Sequence, residues 1–230
     1  MLNGGLLSRW VNAFRSDPMS LLVELLIGVP ALLLALILHE MAHGYVALWC
    51  GDGTAKMMGR LSIRPSHHLD PLGTACMVLF GFGWAKPVPI NPNNFKSRVR
   101  DDLLVSIAGI TMNFLLFLVS SFLMTLVLKV SGWRIPAGFM KYIYQFLLTL
   151  ASINLCLAIF NLIPFPPLDG YHIVNDILLK GRLRLSQETL IICHIVFLVL
   201  CYTTNIITRL MSVVGGAVWD AVFSFYLNIL

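Results

Sequence analysis

The sequence predicts an α-helical multi-pass membrane protein. We expect a bundle of about five to six helices, each span taking about 20 residues, with a small membrane-associated β-hairpin or sheet inserted between the helix that carries His39-Glu40-Met41-Ala42-His43 and the next span. Three observations predict this. Of 230 residues, 58% are hydrophobic and only 12% are charged, whereas a soluble domain carries about 25% charged residues. Apolar runs long enough to cross the hydrocarbon recur along the chain. Between the first and second of these runs lies a different stretch, rich in Gly and Pro, with short alternating segments. The length fits one domain, residues 1–230. The net charge of +5 calls for no nucleic acid: the Lys and Arg sit beside apolar segments, where they orient helices and meet anionic lipid headgroups.

In chain order, residues 1–18 form an interfacial N-terminal segment, with Leu7, Trp10, Val11 and Phe14 on one helical face. Arg9 and Arg15 before an apolar run resemble the start of a signal peptide. No A-x-A-like site follows, so the run reads as an uncleaved span. That span covers residues 19–49, and Pro30 is expected to kink it. The β insertion covers residues 54–94. Gly59-Arg60-Leu61-Ser62-Ile63-Arg64 alternates polar and apolar, as a half-exposed strand does. Residues 72–85 are apolar but too short to span as a helix, and Gly81, Gly83, Pro87, Pro89 and Pro92 oppose helix. They read as backbone dipping into the membrane edge, against protein or a wet cavity. Further spans are expected over 103–128, 142–163 and 189–207. Residues 211–230, interrupted by Gly215-Gly216 and Asp220, either span or lie in the interface. The catalytic core is therefore 19–170, followed by C-terminal helices over 171–230. With 72–85 re-entrant, the loops after the first and third spans share a side and carry most of the Lys and Arg, which places that side in the cytosol.

The chemistry begins at His39 and His43. Four residues apart, they share one helix face and can grip one metal ion, and Glu40 between them is placed as the general base of a zinc peptidase. Their approach, Ala31 to Leu38, is wholly apolar, and ionisable groups at that depth are functional by default. Catalytic zinc takes three protein ligands and keeps a position for water. The third candidate is Asp169, in Asn161-Leu162-Ile163-Pro164-Phe165-Pro166-Pro167-Leu168-Asp169-Gly170, where prolines stop the preceding helix and Gly170 permits a turn.

These motifs resemble the site-2 protease family of intramembrane zinc metalloproteases, in its small form without a PDZ domain. His39-Glu40-Met41-Ala42-His43 matches the family's HExxH. Leu168-Asp169-Gly170 matches its LDG, preceded by the Asn-x-x-Pro run from Asn161. Phe82 to Pro89 resembles the strand segment of small bacterial and archaeal members, and Ala108-Gly109 with Asn113 resembles a helix motif between the zinc motifs, with Ile110 where the family often has Pro. The resemblance covers about residues 35–176. It implies His39, His43 and Asp169 as ligands of one Zn2+ per chain and Glu40 as the catalytic base. Asn161 is implied as a holder of substrate or oxyanion, with Asn113 as an accessory residue; His172, just past Asp169, reads from its position either as an accessory donor or as an interfacial residue. It also implies substrates that are transmembrane segments of single-pass proteins in a bacterial or archaeal cell membrane, cut in regulated proteolysis or in clearing signal-peptide remnants, with any regulatory partner unspecified. Gly83, Trp84, Ala85 and Lys86 are expected to offer an edge to an unwound substrate by strand addition.

Blander readings stand beside these. Asp169 could cap the next helix. His67-His68-x-Asp70 reads as turn chemistry, or as a gate. His194 reads as a packing residue, and Asn154 as helix glue. Cys50, Cys76, Cys156, Cys193 and Cys201 are scattered and odd in number, which reads as small buried hydrophobes. A membrane metal or ion transporter could use the same His/Asp cluster, although the later spans have few polar residues to line a path. An inactive scaffold would have no need of Glu40.

Overall fold

Asp17 opens the first long helix. Its carboxylate accepts from the Ser20 N–H at 3.0 Å, and Pro18 takes the first helical position, where its missing N–H is no loss. The computed structural model describes residues 12, 14–73, 85–183, 185–204 and 206–230. In it, α1 (Pro18–Trp49) passes through Pro30 and carries both histidines. Short helices α2 (Thr54–Met57) and α3 (Pro65–His68) follow, then a 3₁₀ turn at Pro92–Asn94. The rest is α4 (Arg98–Val130), α5 (Phe139–Asn161), α6 (Asp169–Leu179), α7 (Gln187–Thr203), α8 (Ile206–Leu210), a π-helical turn at Met211–Gly215 and α9 (Gly216–Ile229). Of the interfacial segment expected over 1–18, residues 12 and 14–18 are described; 12 and 14–16 are helical and exposed, while Leu7, Trp10 and Val11 lie outside the described residues.

Among the described residues, four helical stretches are long and apolar enough to cross a membrane: α1, α4, α5 and Thr208–Ile229. The last absorbs the expected break at Gly215-Gly216 as a π turn, so the helix runs on. The span expected over 189–207 corresponds to α7, an apolar helix of 17 residues, at the short end of what crosses hydrocarbon.

α4 is the centre of the bundle. Phe117, fully buried on it, packs with Ala151, Leu155 and Ile159 of α5 and with Trp219 of α9. Its hydroxyls satisfy themselves within the helix: Ser121 and Thr125 donate to the carbonyls four residues back, at 2.6 and 2.8 Å. Asn154 on α5 likewise donates to Leu150 O at 2.8 Å. In lipid such internal bonds spare the helices exposed polar groups.

The insertion departs from the expectation. Among the described residues there is no strand, only an isolated antiparallel bridge between Leu69 and Ala85. The alternating run 59–64 does not extend. Gly59 takes φ +65° as it leaves α2, the Arg60 N–H bonds back to Ala55 O at 2.9 Å, and Pro65 starts α3. A left-handed glycine and a buried arginine thus override the alternation. Residues 74–84, including Gly83 and Trp84, lie outside the described residues, and the remainder of the expected hairpin with them.

What fastens the described part is a buried carboxylate. Asp52, fully buried, accepts from the Asn91 N–H at 2.7 Å, Asn94 Nδ2 at 2.8 Å and the Thr54 N–H at 3.1 Å. This ties the loop after α1 to the approach to α4.

Candidate metal centre

His39 and His43 lie one turn apart on the face of α1 that meets α4, and both are buried. Each ring is oriented from α4 through its δ nitrogen. His39 Nδ1 is 3.0 Å from Asn113 Oδ1, and His43 Nδ1 is 2.7 Å from Val105 O. Both partners are oxygen acceptors, so both rings carry their proton on Nδ1 and turn a bare Nε2 inward. The two Nε2 atoms are 3.0 Å apart. Asp169 Oδ2 stands 3.5 Å from one and 3.4 Å from the other.

Asp169 reaches this place as the first residue of α6. The chain before it, Pro164 to Leu168, is non-helical and contains a cis peptide bond between Pro166 and Pro167. Gly170 follows for a reason other than the expected turn. A Cβ on it would stand 2.5 Å from Leu162 O and 2.6 Å from Ile163 O, so only glycine lets α6 start against the end of α5. A capping role for Asp169 is not what is seen: the residue before α6, Leu168, makes no side-chain cap, and Asp169 Oδ2 is buried without a hydrogen-bond partner among the described residues.

Three donor atoms therefore converge within 4.8 Å, an arrangement that a cation satisfies, including the buried Asp169 Oδ2, which has no hydrogen-bond partner among the described residues. Two imidazoles and a carboxylate, with a fourth direction open to a cavity, suit zinc. That cavity, about 650 Å³, is lined by His39, Glu40, His43, Asn161, Asp169 and His172 among others.

Glu40 points toward the insertion. Its Oε2 accepts from the Val88 N–H at 2.8 Å. Asn161 lines the cavity while its Nδ2 donates to Leu157 O of its own helix at 3.0 Å. His172 pairs with Asp102, Nδ1 to Oδ2 at 3.5 Å, and stacks edge-on against Tyr171. The hydrogen bond with Asp102 raises its pKa, and burial opposes the rise.

The edge expected to receive a substrate strand is largely spoken for where it is described. The Lys86 N–H donates to His68 O at 2.8 Å, and Pro87 and Pro89 have no N–H. Ala85 is in the isolated bridge with Leu69. His67 and His68 are structural: His68, buried, has Nε2 2.6 Å from Ser62 O, and Asp70 accepts from the Gly73 N–H. Sequence reasoning missed Val105, which acts through its carbonyl, as well as Asp102 and Arg60.

Residues 128–203, which include the Leu168-Asp169-Gly170 motif but not the histidine pair, match the profile of peptidase family M50. The chain is 41% identical over 194 residues to YwhC of Bacillus subtilis (strain 168), which carries the provisional name of a zinc metalloprotease; the match covers 84% of this chain and 86% of that one. It is 27% identical over 173 residues to Rip2 of Mycolicibacterium smegmatis (strain ATCC 700084 / mc(2)155), provisionally named in the same way, over 73% of this chain and 63% of the relative. No solved structure matches. With a site whose donor set fits zinc and a relative this similar along most of both chains, the chain belongs to peptidase family M50, the site-2 protease family of membrane zinc metalloproteases.

Proposed function

We propose that this protein cuts peptide bonds within or beside the transmembrane segments of other membrane proteins, with His39, His43 and Asp169 as the zinc ligands and Glu40 as the catalytic base. The observation that carries the reading is the convergence of His39 Nε2, His43 Nε2 and Asp169 Oδ2 beside Glu40 at one cavity between apolar helices. Zinc in that place supplies Lewis acidity toward the scissile carbonyl and makes water acidic enough to ionise near neutral pH.

The chain's own groups do the remaining work. Asn113 and Val105 hold the imidazoles in the tautomer that presents Nε2. Glu40, held through one carboxylate oxygen by Val88, takes a proton from the attacking water at the other oxygen and returns it to the leaving amine. Asn161 lies along the same cavity. Releasing its bond to Leu157 O would free an amide donor for the developing oxyanion, a contribution worth roughly 3–4 kcal/mol in other hydrolases. Single-pass proteins are the substrates, and the loops after α1 and after α5 face the cytosol.

The test is cleavage of a panel of tagged single-pass helices in liposomes by wild type and Glu40→Gln, with bound zinc measured in both. Zinc in both proteins with cleavage by wild type alone is the expected result. Cleavage by both, or absence of zinc from the wild type, would overturn the assignment.

A further inference from the structure

Arg60 is buried, 9% exposed, and among the described residues no carboxylate pairs with it. A buried guanidinium without a counter-ion is costly and calls for a specific use. Its position is arranged by the backbone. Gly59 at φ +65° reverses the chain after α2, and the Arg60 N–H closes on Ala55 O, which sends the side chain inward. There Nη2 donates to two successive carbonyls, Lys86 O at 2.9 Å and Pro87 O at 3.1 Å.

The second of these carbonyls matters most. Pro87 C=O and Val88 N–H are the two ends of one planar peptide group. The oxygen end accepts from Arg60, and the N–H end donates to Glu40 Oε2 at 2.8 Å. Since Pro87 and Pro89 have no N–H, Val88 supplies the sole backbone donor of residues 87–89. A donor on an amide oxygen polarises the amide and makes its N–H a better donor. The positive charge therefore acts on the carboxylate through one amide. Direct contact would let a guanidinium grip both carboxylate oxygens in a bidentate pair. The indirect arrangement fixes one oxygen and leaves the other for water. The segment is further held by Val88, buried against α1 at Gly44, where an added Cβ would stand 3.1 Å from Val88 Cγ1.

We propose that Arg60 is a positioning residue for the catalytic carboxylate, orienting Glu40 through the Pro87–Val88 peptide group. This inference rests on the assignment of Glu40 as the base, and its test separates the two. Arg60→Ala, Arg60→Lys, Val88→Pro and the double variant Arg60→Ala/Val88→Pro are compared with wild type and Glu40→Gln. Zinc content, kcat and KM are measured on one cleavable helix in liposomes. Arg60→Ala is expected to keep its zinc and a KM near wild type while kcat falls about 100-fold, the scale of a small misplacement of a reacting group. Arg60→Lys, reaching one carbonyl, should lie between the two. Guanidinium at millimolar concentration should restore turnover to Arg60→Ala, whereas ammonium should not. Val88→Pro, which removes the N–H, should lose kcat to a similar degree. The double variant should be no slower than the slower single and deaf to guanidinium.

Multiplying losses, a loss confined to KM, or rescue that persists in the double variant would overturn the proposal. If Arg60→Ala fails to fold, Arg60→Lys decides: full turnover there would leave Arg60 a merely structural role and end the inference. A Glu40→Gln enzyme that still cleaves would instead overturn the assignment of the base, whatever Arg60 does.

Discussion

Gly109 lies against the histidine pair: a Cβ on it would stand 2.4 Å from His43 Nε2 and 2.5 Å from His39 Cε1. The close approach of α4 to α1 at this level is what allows Asn113 and Val105, on either side of Gly109, to reach the two δ nitrogens. Gly109→Ala must push one ring aside. We expect its zinc dissociation constant to rise at least about tenfold, the scale on which disturbed support weakens metal sites. Metal titration of the purified protein measures this directly, and unchanged affinity would show that the rings are not held against α4.

Asn113 should behave according to which of its atoms is used. It is fully buried, with its oxygen toward His39 and its Nδ2 without a partner among the described residues. Asn113→Leu removes the acceptor and is expected to weaken zinc binding about 10- to 100-fold. Asn113→Asp keeps an acceptor and should hold zinc far better than Asn113→Leu. Equal losses in the two variants would mean that the site needs the amide nitrogen.

Asp52 ties stability to acid. Burial alone would lift its carboxyl, but the bonds from Thr54, Asn91 and Asn94 outweigh burial and hold its pKa below the usual value. A folded-state pKa below the unfolded one gives stability that is present above the unfolded value, about 3.9, and is lost as pH falls through the folded one. Asp52→Ala leaves several buried donors unpaired and should lower stability at pH 7 by roughly 2–4 kcal/mol. Thermal unfolding from pH 7 down to about 3 should show the gap to wild type closing. A constant gap would place the acid sensitivity elsewhere.

Asp176 has the opposite sign. Burial, then the neighbouring Asp102, push its carboxyl up to about 6, with His172 opposing. The fold therefore disfavours its charged form. The penalty is absent below the unfolded value, about 3.9, and grows until the folded group has ionised. Asp176→Asn should melt higher than wild type at pH 7.5 and alike near pH 4, in the same buffers with zinc present. A variant less stable than wild type at pH 7.5 but alike near pH 4 would show that the ionised carboxylate is wanted where it is.

The parts of this protein that could be read in the sequence are those fixed by short-range geometry. His39 and His43 had to share a face because helical residues four apart do, and a carboxylate after a proline break had to leave the helix. The order and rough bounds of the long spans follow from hydrocarbon thickness. The supports were hidden because they act through groups that side-chain patterns do not display. Val105 uses its carbonyl, and Gly109 uses the absence of a side chain. The insertion misled for a related reason. Residues 59–64 alternate like a strand, yet one left-handed glycine and the inward pull on Arg60 decide the backbone. Asp169 was legible as a ligand candidate, whereas the need for Gly170 after it became visible only with the carbonyls of Leu162 and Ile163 in place.

The donors of the metal centre come from opposite ends of the chain's synthesis. α1 brings His39, Glu40 and His43 early, and Asp169 arrives only with α6, after α4 and α5 have both been made. A ribosome that has just threaded α1 into the membrane has delivered Glu40 and two donors without the third. On this reading the nascent chain is harmless to the other helices passing through the same insertion machinery. The proposed activity, which needs all three donors, can begin only once α6 has been made and has met α1.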